Sequence, residues 1–411
     1  MKKEKLRYII LVQLFISAFC SGGTYAWSVL SRGLQDFHGW SISDVTFGYS
    51  LMCIVLAFIG IFSGRFLDKF GPKYLMLFAG LLFGGGWFLV SQATTLWQFW
   101  LYFGLISGAG DGLLYNTVIT TAIRWFPEKR GLISGIMVGS AGLAPLVISP
   151  LADFLVSSYS VNGAFKFFGA VFFIVVASGV FIAKNPPLNW KPEGYLEPVT
   201  TGRVIKSSKE IGPGGMMKDI KFYLLWLAFF AGCNSGLLLI SNGAQLGIDL
   251  AGLTSAVAAS FVGILAVFNF VGRMGVGALG DKIGRIKCLY IVFITTAVLM
   301  LFFGKANTYL TYLIISGLIG VCFGGLMANF PVITGEVFGV KYQGSNYGIM
   351  FTAYGIAAFT GPMVGAWFRE TTGSWNGAFI FAACLAIVSL VLIHFVRVNL
   401  EKTSKSEAAS A

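Results

Sequence analysis

Few residues in this chain could do chemistry, and two of them are charges placed where charges are costly. Arg273 ends the run Asn269-Phe270-Val271-Gly272-Arg273, inside an apolar segment from Leu253 to Leu279 that is otherwise uncharged. It stands about eight residues, on the order of 12 Å of helix, before the charged turn Asp281-Lys282-Ile283-Gly284-Arg285. A guanidinium at that depth can neutralise and hold an anion. The plainer reading is a long side chain that snorkels back to the membrane interface. The second charge, Asp111, lies about midway along another apolar stretch, in Ser107-Gly108-Ala109-Gly110-Asp111-Gly112. A carboxyl there can carry a proton, or it can simply tie two helices together beside the small-residue face of Gly104, Gly108 and Gly112. Tyr25 and Tyr115 also stand mid-segment, where a buried phenol needs a hydrogen-bond partner from protein or ligand.

The elements that must position these groups follow from composition. A chain of 411 residues with 56% apolar residues, 11% charged residues and 53 glycines is a polytopic helical membrane protein rather than a soluble globule. Twelve apolar segments are long enough to cross about 30 Å of hydrocarbon. Six precede and six follow one polar stretch from Asn185 to Lys218, which holds five of the prolines among lysines and glutamates and reads as a solvated connector. The expected division is an N-terminal six-helix bundle over 1–184, a connector over 185–220, a C-terminal six-helix bundle over 221–397 and a tail over 398–411. The lysine-flanked N-terminus imitates a secretory signal, but its apolar run continues to Leu30 without a small-residue cleavage site, so an uncleaved first span is expected. Six scattered cysteines and two histidines offer no metal-ligand spacing, and no GxxxxGK[ST] loop occurs. No metal, cofactor or enzymatic site is expected.

Basic residues set the expected orientation. Of the 29 Lys and Arg, Arg32, Lys166, Lys305 and Arg369 fall on one side and Arg273 inside a span; the rest fall with the connector and both termini. By the positive-inside rule both termini are expected in the cytoplasm of a multi-pass cell-membrane protein. The formal charge of +12 then faces anionic lipid, and no nucleic-acid partner is implied.

The two halves are also related. Gly64-Arg65-Phe66-Leu67-Asp68-Lys69-Phe70-Gly71 recurs 213 positions on, as Gly277-Ala278-Leu279-Gly280-Asp281-Lys282-Ile283-Gly284. The same offset carries Gly104-Leu105-Ile106 onto Gly317-Leu318-Ile319, Asn116 onto Asn329 and Gly135 onto Gly348. Six spans separate the copies, so the repeats are parallel and would enclose a central site between two bundles. Asn116 and Asn329 read as interhelical hydrogen bonds.

The doubled G-x-x-x-D-[RK]-x-G turn resembles the signature loop of the major facilitator superfamily. Thr24-Tyr25-Ala26-Trp27, Arg124-Trp125-Phe126-Pro127-Glu128-Lys129-Arg130-Gly131, Asn346-Tyr347-Gly348 and Arg273 together are similar to the oxalate/formate antiporter family and, more distantly, to monocarboxylate transporters. The resemblance implies an all-α fold of twelve transmembrane helices in two bundles and a secondary transporter that works by alternating access. It implies gating by Asp68, Lys69, Asp281, Lys282 and Arg285, and a substrate carboxylate on Arg273, with Tyr25 and Tyr115 on cavity-lining helices. By their own chemistry Asn269 can orient the guanidinium or substrate and Tyr354 can hydrogen-bond a hydroxyl or keto oxygen. Two departures shape the expectation. Tyr354 stands where the oxalate pattern has a second cation, and one cation leaves half of a dianion uncompensated, which favours lactate-, pyruvate- or formate-like monocarboxylates. Asn269 stands where proton-linked monocarboxylate transporters have an aspartate, which leaves Asp111 as the candidate for proton coupling. Exchange of carboxylates without protons, and a membrane sensor that binds carboxylate without moving it, stay open. The expected partners are the small carboxylate, protons and membrane lipid, with the chain acting as a monomer.

Overall fold

In hydrocarbon each backbone N–H and C=O must find its partner inside the chain, so the apolar runs become helices. The computed structural model describes residues 3–187, 190–192 and 210–410, and these form no strand. Twelve helical rods follow one another. α1 comprises Lys3–Ser21, a 3-10 stretch Gly22–Ala26 and Trp27–His38. α2 is Ile42–Phe70 and α3 is Pro72–Val90. α4 runs over 96–125 as Leu96–Phe99, a π-helical stretch Trp100–Ser107 and Gly108–Trp125. α5 is Arg130–Ser158 and α6 is Val161–Ala177. Beyond the connector come α7 Ile220–Ala251, α8 Ser255–Ile283, α9 Arg285–Phe303 and α10 Tyr309–Phe338. α11 is built from Gln343–Met350 and Thr352–Thr372, and α12 is Asn376–Ser410.

Among the described residues, eleven helical spans are long and apolar enough to cross a membrane. The twelfth segment is α4, a continuous helical run with a π-helical stretch of eight residues one turn after its start. A π turn inserts an extra residue and is most often found where a helix serves a site. This one ends at Ser107, four residues before Asp111.

The repeated turns join α2 to α3 and α8 to α9. Gly71 has φ +76° and Gly284 φ +91°, backbone conformations that side-chain-bearing residues rarely adopt. That is why each copy of the motif ends on glycine. Pro72 then starts α3 with a ring that suits the first helical position, where no N–H is needed.

Residue contacts divide the chain into two units. One is Met1–Glu128, Ser140–Tyr195 and Lys341–Phe351; the other is Lys129–Gly139, Leu196–Val340 and Thr352–Ala411. The grouping follows packing rather than chain order: the first part of α5 groups with α7 to α10, and the first part of α11 groups with α1 to α4. In the first unit Trp87 is fully buried among Phe103, Phe165, Phe168 and Phe172, with ring centroids 5.1–6.1 Å away. In the second, Phe303 and Tyr312 anchor a core with Phe261, Phe379 and Trp375. Between helices in lipid, this shape-matched packing supplies the attraction that water expulsion supplies elsewhere.

Candidate functional site

Asn269 and Arg273 stand one helical turn apart on α8 and are 7% and 6% exposed. Two close approaches fix their backbone. A Cβ on Gly324 of α10 would run into the Asn269 carbonyl and the Arg273 amide nitrogen. A Cβ on Gly135 of α5 would run into the Arg273 carbonyl. Glycine on both sides lets three helices pack backbone to backbone around this turn. The guanidinium donates from Nη1 to the carbonyl oxygen of Val138. Its Nε is buried with no hydrogen-bond partner, and so is Oδ1 of Asn269. Among the described residues Arg273 makes no ion pair. A guanidinium taken out of water and left with a spare donor has the chemistry to accept an anion.

Asp111 is 1% exposed in the first turn after the π stretch of α4. It accepts a 2.5 Å hydrogen bond from the Ser21 hydroxyl, at the residue where α1 gives way to its 3-10 stretch. Both helices therefore leave regular α geometry where this carboxyl meets its donor. Tyr115 is half-buried one turn further along α4, its ring centroid 4.9 Å from that of Phe351. It lines a small cleft with Gly60, Asn116 and Tyr347. Tyr354 is half-buried at the start of Thr352–Thr372, in the unit that holds Arg273. The side chain of Tyr25 lies outside the described residues. Arg273, Asn269 and Tyr354 thus fall in one unit, Asp111 and Tyr115 in the other.

The two repeated acidic turns build a second constellation. Asp281 accepts from the backbone N–H of Gly131 at 2.9 Å and of Leu132 at 3.0 Å, so it caps the start of α5 from another helix. Asp68 accepts from the backbone N–H of Ser345 at 3.0 Å and from its hydroxyl at 2.7 Å, which caps the first piece of α11. A carboxylate among free N–H groups at the positive end of a helix is stabilised by both charge and dipole. The copies differ in their cation. Asp68 takes Arg124 Nη2 at 2.5 Å, from the end of α4. Asp281 takes Arg285, 4% exposed, which also donates to the Gly277 carbonyl and to Asn329 Oδ1, both at 3.0 Å, and lies 3.4 Å from Glu336. Lys69 and Lys282 are exposed, and neither makes an ion pair among the described residues. Asn116 ties α2, α4 and α11 together through Gly60 O, Ser63 Oγ and Gly344 O, while Asn329 bonds Gly325 O at 2.8 Å.

Sequence reasoning did not single out Val138, Ser21, Ser345, the N–H groups of Gly131 and Leu132, or Arg124 as a partner of Asp68. The repeat carried a usable signal for one set: the 213-residue offset that relates Asp68 to Asp281 also relates Gly131 and Leu132 to Gly344 and Ser345. Nothing local marks the others. Among the described residues no group of three His, Cys, Asp or Glu is arranged to hold a metal ion.

A match to the Major Facilitator Superfamily covers residues 12–304 and 276–411. The chain belongs to that superfamily. It is 30% identical over 391 residues to the oxalate:formate antiporter of Oxalobacter formigenes, covering 95% of this chain and 90% of that one. It is 24% identical over 372 residues to monocarboxylate transporter 12-B of Danio rerio, covering 83% and 77%. Among solved structures, the superfamily transporter FucP in its outward conformation superposes with a TM-score of 0.71 over 95% of this chain and 99% of that one, at 16% identity. That likeness concerns the fold. This superfamily member is therefore a multi-pass membrane transporter of twelve helices, similar to the oxalate:formate antiporter and the monocarboxylate transporters.

Proposed function

We propose that this superfamily member is a secondary transporter of small monocarboxylates in the cell membrane, with both termini in the cytoplasm. The observation that carries the reading is Arg273: buried, without an ion pair among the described residues, and with Nε unpartnered. One carboxylate satisfies that donor and neutralises the charge, whereas a dianion brings a second charge that needs a second cation. Support for the substrate class comes from the relatives, one named for oxalate and formate and one for monocarboxylates. Asn269 and Tyr354 orient the rest of the small anion.

Transport follows by alternating access. Asp68 and Asp281, each capping a helix start, act as the cytoplasmic gate, with Arg124 and Arg285 holding them in place. The substrate carboxylate takes the spare Nε donor of the guanidinium whose Nη1 holds the Val138 carbonyl, so the filled site bears on the first part of α5. Asp111 carries a coupled proton, its Ser21 hydrogen bond being the contact that protonation changes. Exchange without protons is the second reading, favoured by Asn269, which holds no titratable proton beside Arg273, and by the antiporter relative.

The test is uptake into proteoliposomes with lactate, pyruvate, formate, glycolate, acetate and oxalate as competitors, with and without a pH gradient. Monocarboxylates should compete at lower concentration than oxalate, and an inside-alkaline gradient should drive accumulation that Asp111→Asn loses. Preferential oxalate binding would overturn the single-carboxylate reading. Gradient-driven accumulation that survives Asp111→Asn would return that residue to a packing role.

A further inference from the structure

The connector does not simply leave the first bundle; its opening residues fold back onto the end of α4. The Lys184 carbonyl accepts the indole N–H of Trp125 at 2.6 Å. Oδ1 of Asn185 accepts from Arg124 Nη1 at 3.3 Å. Trp190 turns back through a hydrogen bond from its N–H to the Pro187 carbonyl and sets its ring edge-on to Trp125, with centroids 5.1 Å apart. The same ring lies 5.8 Å from the guanidinium carbon of Arg7. Arg7 is itself buried over Phe126, 4.9 Å from its centroid, and bonds Glu128 at 2.6 Å. The segment from Arg124 to Glu128 is therefore gripped on one flank by the start of α1 and on the other by the start of the connector.

Arg124 is where this grip meets function. Its guanidinium is a rigid plane, so fixing Nη1 on Asn185 decides where Nη2 points. Nη2 meets Asp68, and the other oxygen of Asp68 meets Ser345. The contacts form one line: Asn185, Arg124, Asp68, Ser345. The second copy of the turn needs no such help, because Arg285 is already held inside its unit by Gly277 and Asn329. Where the first copy has Pro72, the second has Arg285, so the first must borrow its cation from α4 and something must aim it.

We propose that the opening of the connector is a strap that acts on one gate and not the other, with Asn185 as a positioning residue that holds Arg124 on Asp68. The strap makes the hold of Asp68 on Ser345 depend on whether Lys184, Asn185 and Trp190 stay docked, so anything that pulls on the connector weakens that gate first. The inference rests on the gate reading of Asp68 given above.

Hydrogen–deuterium exchange on the full-length protein tests it without knowledge of the substrate. Asn185→Ala removes the acceptor; Asn185→Asp places a rival carboxylate on Arg124. Each should speed exchange in peptides over 343–350 by roughly tenfold, the size of one charge-assisted hydrogen bond. Peptides over 130–133, capped by Asp281, should keep their rate. In an Asp68→Asn background the Asn185 substitutions should add less than about twofold, because their route to Ser345 is already cut. Unchanged exchange over 343–350 in both variants, a uniform rise throughout the protein, or equal increments with and without Asp68 would each overturn the strap. If Asp68→Asn alone leaves 343–350 unchanged, the gate reading itself fails.

Discussion

Replacing Arg273 with Gln separates binding from folding, because the structure assigns opposite signs to the two effects. In the bound state the guanidinium offers a carboxylate two charge-assisted donors, each worth about 1.5–3 kcal/mol. A glutamine amide keeps at most one neutral hydrogen bond of about 1 kcal/mol. The net loss is about 2–5 kcal/mol, or roughly 30- to 5,000-fold in apparent affinity. In the unliganded protein the substitution removes one bond to the Val138 carbonyl, and it also removes a buried charge with an unpartnered Nε. An unsatisfied buried donor costs about 1–3 kcal/mol and a desolvated charge more, so these terms at least cancel the lost bond. The Gln variant should therefore unfold at the same temperature as the wild type or a higher one, while monocarboxylate uptake and ligand-induced thermal stabilisation disappear. Arg273→Lys keeps the charge without the two-pronged geometry and should bind with intermediate affinity. The assays are thermal unfolding in detergent with and without ligand, and proteoliposome uptake. Uptake at wild-type rates in Arg273→Gln would refute the carboxylate site. A large loss of stability would show that the arginine is a packing element instead.

Two further predictions concern groups away from that site. Asp281→Asn removes the charge that meets the N–H groups of Gly131 and Leu132 and the Arg285 guanidinium, so it should weaken the cap of α5 by about 1–3 kcal/mol. Exchange of amides over 130–133 should rise accordingly, and an unchanged rate would show that the turn does not hold α5. Asp249 lies near the end of α7, beyond the span Ile220–Gly243. Its hydrogen bond from Arg369 at 2.7 Å holds its carboxyl below the ordinary range, helped by Trp375 and Gln245 and opposed by burial. A lowered folded value means that this contribution is fully present above about pH 4 and fades as pH falls through the lowered value. The difference in unfolding temperature between wild type and Asp249→Asn should accordingly shrink between pH 6 and pH 3. An equal difference at both would remove Asp249 as a source of acid sensitivity.

Hydropathy made the spans legible because lipid imposes one rule on every segment, whatever its neighbours. The exception is instructive. Residues 96–123 read as a span in sequence and lie within one helical run, but the π turn at Trp100–Ser107 left no mark in composition. Ser107 Oγ bonds the Tyr102 carbonyl across it, a contact that no spacing of residue types announces. The acidic turns were readable for a similar reason to the spans: the repeat displays the same Gly, Asp and Gly twice, and two of those glycines carry positive φ. Which helix start each aspartate caps was not readable, since Asp68 and Ser345 are 277 positions apart. The serine that meets Asp111 and the carbonyl that meets Arg273 were equally silent, because a carbonyl exists at every residue and serines are common.

From sequence alone came the membrane class, the two six-span halves and their repeat, the single arginine in an apolar helix and the two glycine-ended acidic turns. These are properties of segments and spacing, set by the cost of exposing polar groups to lipid and by the backbone freedom of glycine. Tertiary structure alone decided that Arg273 keeps one donor on Val138 and one unpartnered, that Ser21 meets Asp111 where both helices leave α geometry, and that Arg124 is aimed by Asn185. Those pairings join residues from separate elements, and only the packing of helices on one another brings their atoms within hydrogen-bond reach.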